Sequence, residues 1–175
     1  MMKTSLFSVL LLITLSFIGC ENETVTSKQS AIKGELVFNS SCKKEGIILY
    51  DSVSISDTLS CVYYSFDKAK MKLNIKHANS VFNCCPELLY CEFSLQGDTI
   101  FIKEKEAASL CDCMCINDLD MEITGIEQKK YILKFEEPYI SENERISFEI
   151  DLNKKIIGEY CVIRKFYPYG MFIVK

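Results

Sequence analysis

Tryptophan is absent from this chain, and histidine occurs once, as His77. A single imidazole leaves little room for histidine acid–base chemistry or for a histidine-rich metal centre. The seven glycines are scattered and form no phosphate-cradling loop. No block of lysine or arginine stands out and the net charge is -4, so nucleic acid is not an expected partner. No Cys-x-x-Cys pair occurs, which removes the usual signature of a zinc knuckle and of a dithiol redox site. The acidic residues fall on the polar positions of alternating runs, as solvated faces do, and no nucleophile–base pair is visible. No catalytic residue is assigned, and enzymatic activity is not expected.

What the chain does have is a targeting segment at its start. "MMKTSLFSVLLLITLSFIGC" places Lys3 before an apolar run from Leu6 to Ile18 and ends on Gly19-Cys20, followed by the polar "ENETVTSKQSAIK". A short positive region, an apolar region and a small residue at the break describe a secretory signal. The run falls short of the ~20 apolar residues that span a bilayer. Its end, "SFIGC", resembles the lipobox of bacterial lipoproteins: Ile18, Gly19 and Cys20 fit, while Phe17 stands where Leu is preferred. That resemblance implies that residues 1–19 are removed and that Cys20 is lipidated, by palmitate or similar acyl chains. Each buried methylene of such a chain contributes about 0.8 kcal/mol of membrane affinity. Residues 20–33 then read as a polar tether, and residues 34–175 as one domain.

The dominant period of that domain is two. "RISFEIDL" puts Ile146, Phe148, Ile150 and Leu152 on one face; "DLDMEI" does so with Leu119, Met121 and Ile123. "MKLNIKH" aligns Met71, Leu73 and Ile75, and "YILKF" aligns Tyr131, Leu133 and Phe135. Alternation of this kind marks strands with one face in a core and one in water, as in antiparallel sheets. Gly97-Asp98 suits a tight hairpin, and "TGIEQKK" and "EEPYISENE" separate later strands. Only "EKEAASLCD", residues 104–112, has a helical look. The fold expected is all-β: a single antiparallel β-sandwich-like domain with cysteine-rich loops.

Beyond Cys20, nine cysteines remain: Cys42, Cys61, Cys84, Cys85, Cys91, Cys111, Cys113, Cys115 and Cys161. In an exported chain all nine are disulfide candidates, and the odd count leaves at least one thiol over. Within "CDCMC", an extended backbone spaces alternate sulfurs ~7 Å apart along one face, too far to bridge one another. Each then needs a partner elsewhere, and "NCCP" with Cys91 supplies three. If the segment instead forms a loop, its sulfurs converge, and Cys84, Cys85, Cys111, Cys113 and Cys115, with or without His77, become a ligand set for zinc or copper. Redox chemistry is the third alternative. His77 itself reads either as such a ligand or as a polar residue at the exposed end of a strand.

"FNCCP", "CDCMCINDLDMEI" and "GEYCVIRKFYPYG" together resemble an uncharacterised family of lipoproteins and exported proteins in Bacteroidota. The resemblance implies a β-rich exported domain and carries no activity. The expectation is a lipoprotein of the bacterial cell envelope, anchored to a membrane through Cys20 and facing the periplasm or the cell surface. Its domain would be a non-enzymatic binding or structural module for a protein or small-ligand partner, with the cysteine-rich loops and Tyr167 and Tyr169 as the candidate ligand surface. A thiolate metal-binding lipoprotein is the alternative.

Overall fold

The computed structural model describes residues 32–43, 49–50, 53–54, 59–109 and 113–164. Among the described residues eleven strands form: β1 (Lys33–Asn39), β2 (Leu49–Tyr50), β3 (Val53–Ser54), β4 (Leu59–Asp67), β5 (Lys72–Asn83), β6 (Pro86–Gln96), β7 (Thr99–Ser109), β8 (Met114–Thr124), β9 (Lys130–Glu136), β10 (Ser147–Asp151) and β11 (Ile157–Ile163). A five-stranded sheet runs β1-β8-β5-β4-β11 and a four-stranded sheet runs β10-β9-β7-β6, with β2 and β3 as a separate pair. The domain is all-β with two stacked sheets, as the alternating sequence implies. One pairing breaks the antiparallel pattern: β7 and β9 run parallel. The chain leaves the four-stranded sheet after β7, lays β8 between β1 and β5 in the other sheet, and returns as β9.

The core lies between the two sheets. Val62, Tyr64, Phe66, Leu73, Ile75, Leu119, Met121 and Ile123 from one sheet meet Ile100, Ile102, Tyr131, Leu133, Phe135 and Ile150 from the other. Side chains of this size each contribute roughly 1.5–3 kcal/mol when fully buried. The faces read from the alternation hold, except at Met71, which is exposed in the turn before β5 with φ 48° rather than facing the core. The 104–112 stretch is not helical where it is described: Glu104–Ser109 continues β7, held by its ladder to β6. Pairing across the sheet thus overrides a weak local preference.

Two glycines are needed where they stand. Gly97 takes φ +59° in the two-residue turn that joins Gln96 to Thr99, a conformation that favours glycine. Gly34 lets β1 cross over β6, since a Cβ there would fall 2.3 Å from the Phe93 ring.

Candidate functional site

The cysteines join strands rather than gathering in loops alone. Cys61, Cys91, Cys115 and Cys161 lie in β4, β6, β8 and β11, while Cys42, Cys84, Cys85 and Cys113 lie in connections. Cys42 pairs with Cys115 at a Cα separation of 5.3 Å. Cys84 pairs with Cys113 at 5.5 Å. Cys61 pairs with Cys161 at 4.1 Å, the two facing each other directly across the β4–β11 ladder. Cys85 is also disulfide-bonded. Cys113 and Cys115 therefore go to separate partners, as an extended backbone requires. The closed loops span 29, 73 and 100 residues. Loop-closure entropy makes each bridge worth about 3–5 kcal/mol.

The turn that presents Cys84 and Cys85 is set by its neighbours. The Asn83 side-chain oxygen accepts the Cys85 N–H at 3.0 Å, an Asx turn, and Pro86 then opens β6. The Cys84 N–H donates to the Cys113 carbonyl at 3.1 Å, bringing the two cysteine segments together. Sulfurs of Cys84, Cys85 and Cys113 lie within 4.8 Å of one another. Bonded as disulfides they cannot act as thiolates; only reduction would give this trio metal-ligand character. His77 does not join them and belongs to a different cluster. Cys91 is the one free cysteine among the described residues, and its side chain packs against the main core. Burial, together with the charge of Glu104, pushes its thiol far above the usual range, so it is a poor nucleophile at neutral pH.

His77 is fully buried, which corrects the reading of an exposed strand end. Its Nδ1 lies 2.6 Å from Glu104 Oε1 and its Nε2 lies 2.9 Å from Ser60 Oγ. Ser80 Oγ donates to the other Glu104 oxygen at 2.5 Å. Glu137 Oε1 is 3.9 Å from Nε2, and both Glu137 oxygens accept from the one Arg164 nitrogen Nη2, at 2.6 and 2.7 Å. Arg164 also donates to the Glu144 carbonyl at 2.5 Å. Two carboxyl groups, a guanidinium and an imidazole meet inside the sandwich, and burial pushes the Glu137 carboxyl above its usual range although His77 and Arg164 oppose the shift. Glu104 and Glu137 thus correct the expectation that the acidic residues lie on solvated faces.

Ser60, His77 and Glu104 have the layout of a nucleophile, base and orienting acid. Burial alone would push the imidazole down, but the charge and hydrogen bond of Glu104, with the charge of Glu137, hold its pKa above the ordinary value. What opposes that chemistry is position: Ser60, His77 and Glu104 are all shut off from solvent, so no substrate reaches the serine. His77, Glu104 and Glu137 also place ligand atoms within 4.8 Å of one another, but the Arg164 guanidinium already meets both Glu137 oxygens where a cation would bind. The group is best described as a buried ionic lock between the sheets.

A shallow concavity of about 560 Å³ opens on the outer face of the five-stranded sheet, lined by Tyr63, Asn74, Lys76, Asp120, Glu122 and Ile157 among others. Burial pushes the Asp120 carboxyl above its usual value, with Lys76 opposing and Asp118 adding to the shift. Ile157, at its rim, and Ile163, at the other end of the edge strand β11, are largely exposed. Cys20, Cys111, Tyr167 and Tyr169 lie outside the described residues. Comparison with protein-family models, curated proteins and solved structures gives no match to this chain.

Proposed function

We propose that this chain is a lipid-anchored protein of the bacterial cell envelope whose disulfide-stapled β domain works as a binding or structural module. The observation that carries the reading is the set of bridges Cys42–Cys115, Cys61–Cys161 and Cys84–Cys113, with Cys85 also oxidised. Disulfides in this number persist in an oxidising compartment, not in a reducing cytosol. The apolar segment ending in Gly19-Cys20 gives the chain a route to that compartment and an attachment site for acyl chains. The resemblance to exported Bacteroidota proteins points the same way. The open concavity beside β11 is the binding face this reading favours, because it combines exposed apolar and charged side chains on a cross-linked frame.

The test is metabolic labelling of the full chain with a palmitate analogue, followed by fractionation. Wild type should carry label and sediment with membranes. Cys20→Ala should lose both. Label retained in that variant, or an unlabelled soluble wild type, would overturn the anchor.

A second reading rests on the convergence of Cys84, Cys85 and Cys113 within 4.8 Å. In the reduced protein this trio would hold a soft ion such as zinc or cuprous copper through thiolates. Tight zinc uptake by reduced but not oxidised protein, abolished by Cys113→Ser, would support it.

A further inference from the structure

Lys43, Asn79 and Asp118 are brought together from three distant parts of the chain. Lys43 lies beyond the end of β1 and bridges to Ile116 in β8, next to the Cys42–Cys115 disulfide. Asn79 sits at the irregularity in β5 where the ladder to β8 shifts between His77 and Ser80, with φ 65°. That shift turns the Asn79 N–H onto Asp118 Oδ1 at 3.0 Å. The Lys43 amine donates to Asn79 Oδ1 at 2.6 Å and to Asp118 Oδ1 in a very short contact. Asn79 Nδ2 donates to the Leu59 carbonyl at 2.7 Å. The lysine and aspartate side chains are only 8% and 10% exposed, and Asn79 as a whole is 2% exposed.

A lysine ammonium so shielded is an unusual choice for an ordinary surface ion pair. We infer that Lys43 and Asn79 form an intramolecular isopeptide bond, with Asp118 as the proton carrier. The amide C=O bond is about 1.23 Å long, which puts Asn79 Cγ within ~4 Å of the amine, close to the ~3–3.5 Å of a near-attack pair. Asp118 takes a proton from Nζ, and the freed amine attacks Cγ. The Cγ–Nζ bond forms while Oδ1 takes up the carbonyl electron pair. Asp118 passes its proton to Nδ2 and takes a second one from the newly bonded nitrogen. Collapse re-forms the carbonyl and breaks Cγ–Nδ2, and the departing ammonia carries off the second proton as ammonium, leaving Asp118 ionised. No oxidant, metal or cofactor enters the balance. Fixed placement and the exclusion of water are what make an otherwise sluggish amide exchange feasible. Lys76 lies 3.8 Å from the second Asp118 oxygen and helps hold that carboxylate in place.

The bond would tie the segment after β1 to β5, beside the Cys42–Cys115 bridge. It would persist when that bridge is reduced.

The test is peptide mapping by mass spectrometry of the purified full chain after reduction, alkylation and protease digestion. The expected result is one peptide pair joining Lys43 to Asn79, lighter than its two components together by one ammonia, with no tryptic cleavage after Lys43. In Lys43→Arg, which keeps the charge beside Asp118 but lacks the amine, the two peptides should separate at full mass. In Asp118→Ala the linked pair should fall at least tenfold. Separate, full-mass peptides from the wild type would overturn the inference. So would an ammonia loss confined to the Asn79 peptide, since that is a succinimide and not a cross-link.

Discussion

Glu137 holds Arg164 through both carboxylate oxygens, at 2.6 and 2.7 Å, with both side chains nearly inaccessible to solvent. The pair links the end of β9 to the end of β11, and so connects the two sheets. Its net attraction matters less than the charge left stranded when one partner is removed. Arg164→Ala leaves Glu137 buried beside Glu104 with one cation fewer, and should cost about 3–5 kcal/mol in denaturant unfolding. Replacing both members, as Glu137→Met with Arg164→Met, should recover most of that loss, because neither charge is then unpaired. Equal losses in the single and double variants would show that the pair does not act as a unit.

The imidazole beside this pair makes stability depend on pH. The folded protein holds the His77 pKa above its ordinary value, through Glu104 and Glu137 acting against burial. A raised folded pKa means that the contribution is fully present below the ordinary imidazole range and is lost as pH rises through the folded value. Unfolding free energy should therefore decline from neutral to alkaline pH, and His77→Gln should flatten that part of the profile. A wild-type profile that rises over the same range would mean that His77 is buried neutral.

The bridge from Cys61 to Cys161 fastens an edge strand. Among the described residues β11 pairs only with β4 in its sheet, and the disulfide lies within that ladder. In Cys61→Ser/Cys161→Ser, amide exchange in Ile157–Ile163 should accelerate more than in β5 or β8, and the domain should lose roughly 3–5 kcal/mol. Uniform acceleration across all strands would show instead that β11 opens only with the whole sandwich.

Much of this architecture can be read from periodicity. The faces of β8, β9 and β10 are set directly by Leu119/Met121/Ile123, Tyr131/Leu133/Phe135 and Phe148/Ile150. The ionic lock is legible too, but only when each stripe is extended one step further. Ser60 precedes Val62 and Tyr64; His77 comes after Leu73 and Ile75; Glu104 after Ile100 and Ile102; Glu137 after Leu133 and Phe135; Arg164 after Val162. Each polar residue continues a core-facing row, and the sheet registers bring the ends of those rows together. The rule that polar residues face water ends each row too early. The parallel return of β9 and the pairing of the cysteines depend on which strands become neighbours, and local sequence carries no record of that. The Lys43–Asn79–Asp118 cluster is hidden for the same reason, with separations of 36 and 75 residues between its members.

The most direct test of a disulfide-stapled domain is to unfold the full chain in a thiol-alkylating reagent without reductant, and then to map its peptides. Cys91 should be alkylated, while the Cys42/Cys115, Cys61/Cys161 and Cys84/Cys113 peptides should be recovered as linked pairs that separate only on reduction. Free alkylation of those six cysteines in protein isolated from the cell would contradict the stapled domain, and with it the oxidising compartment in which it is proposed to work.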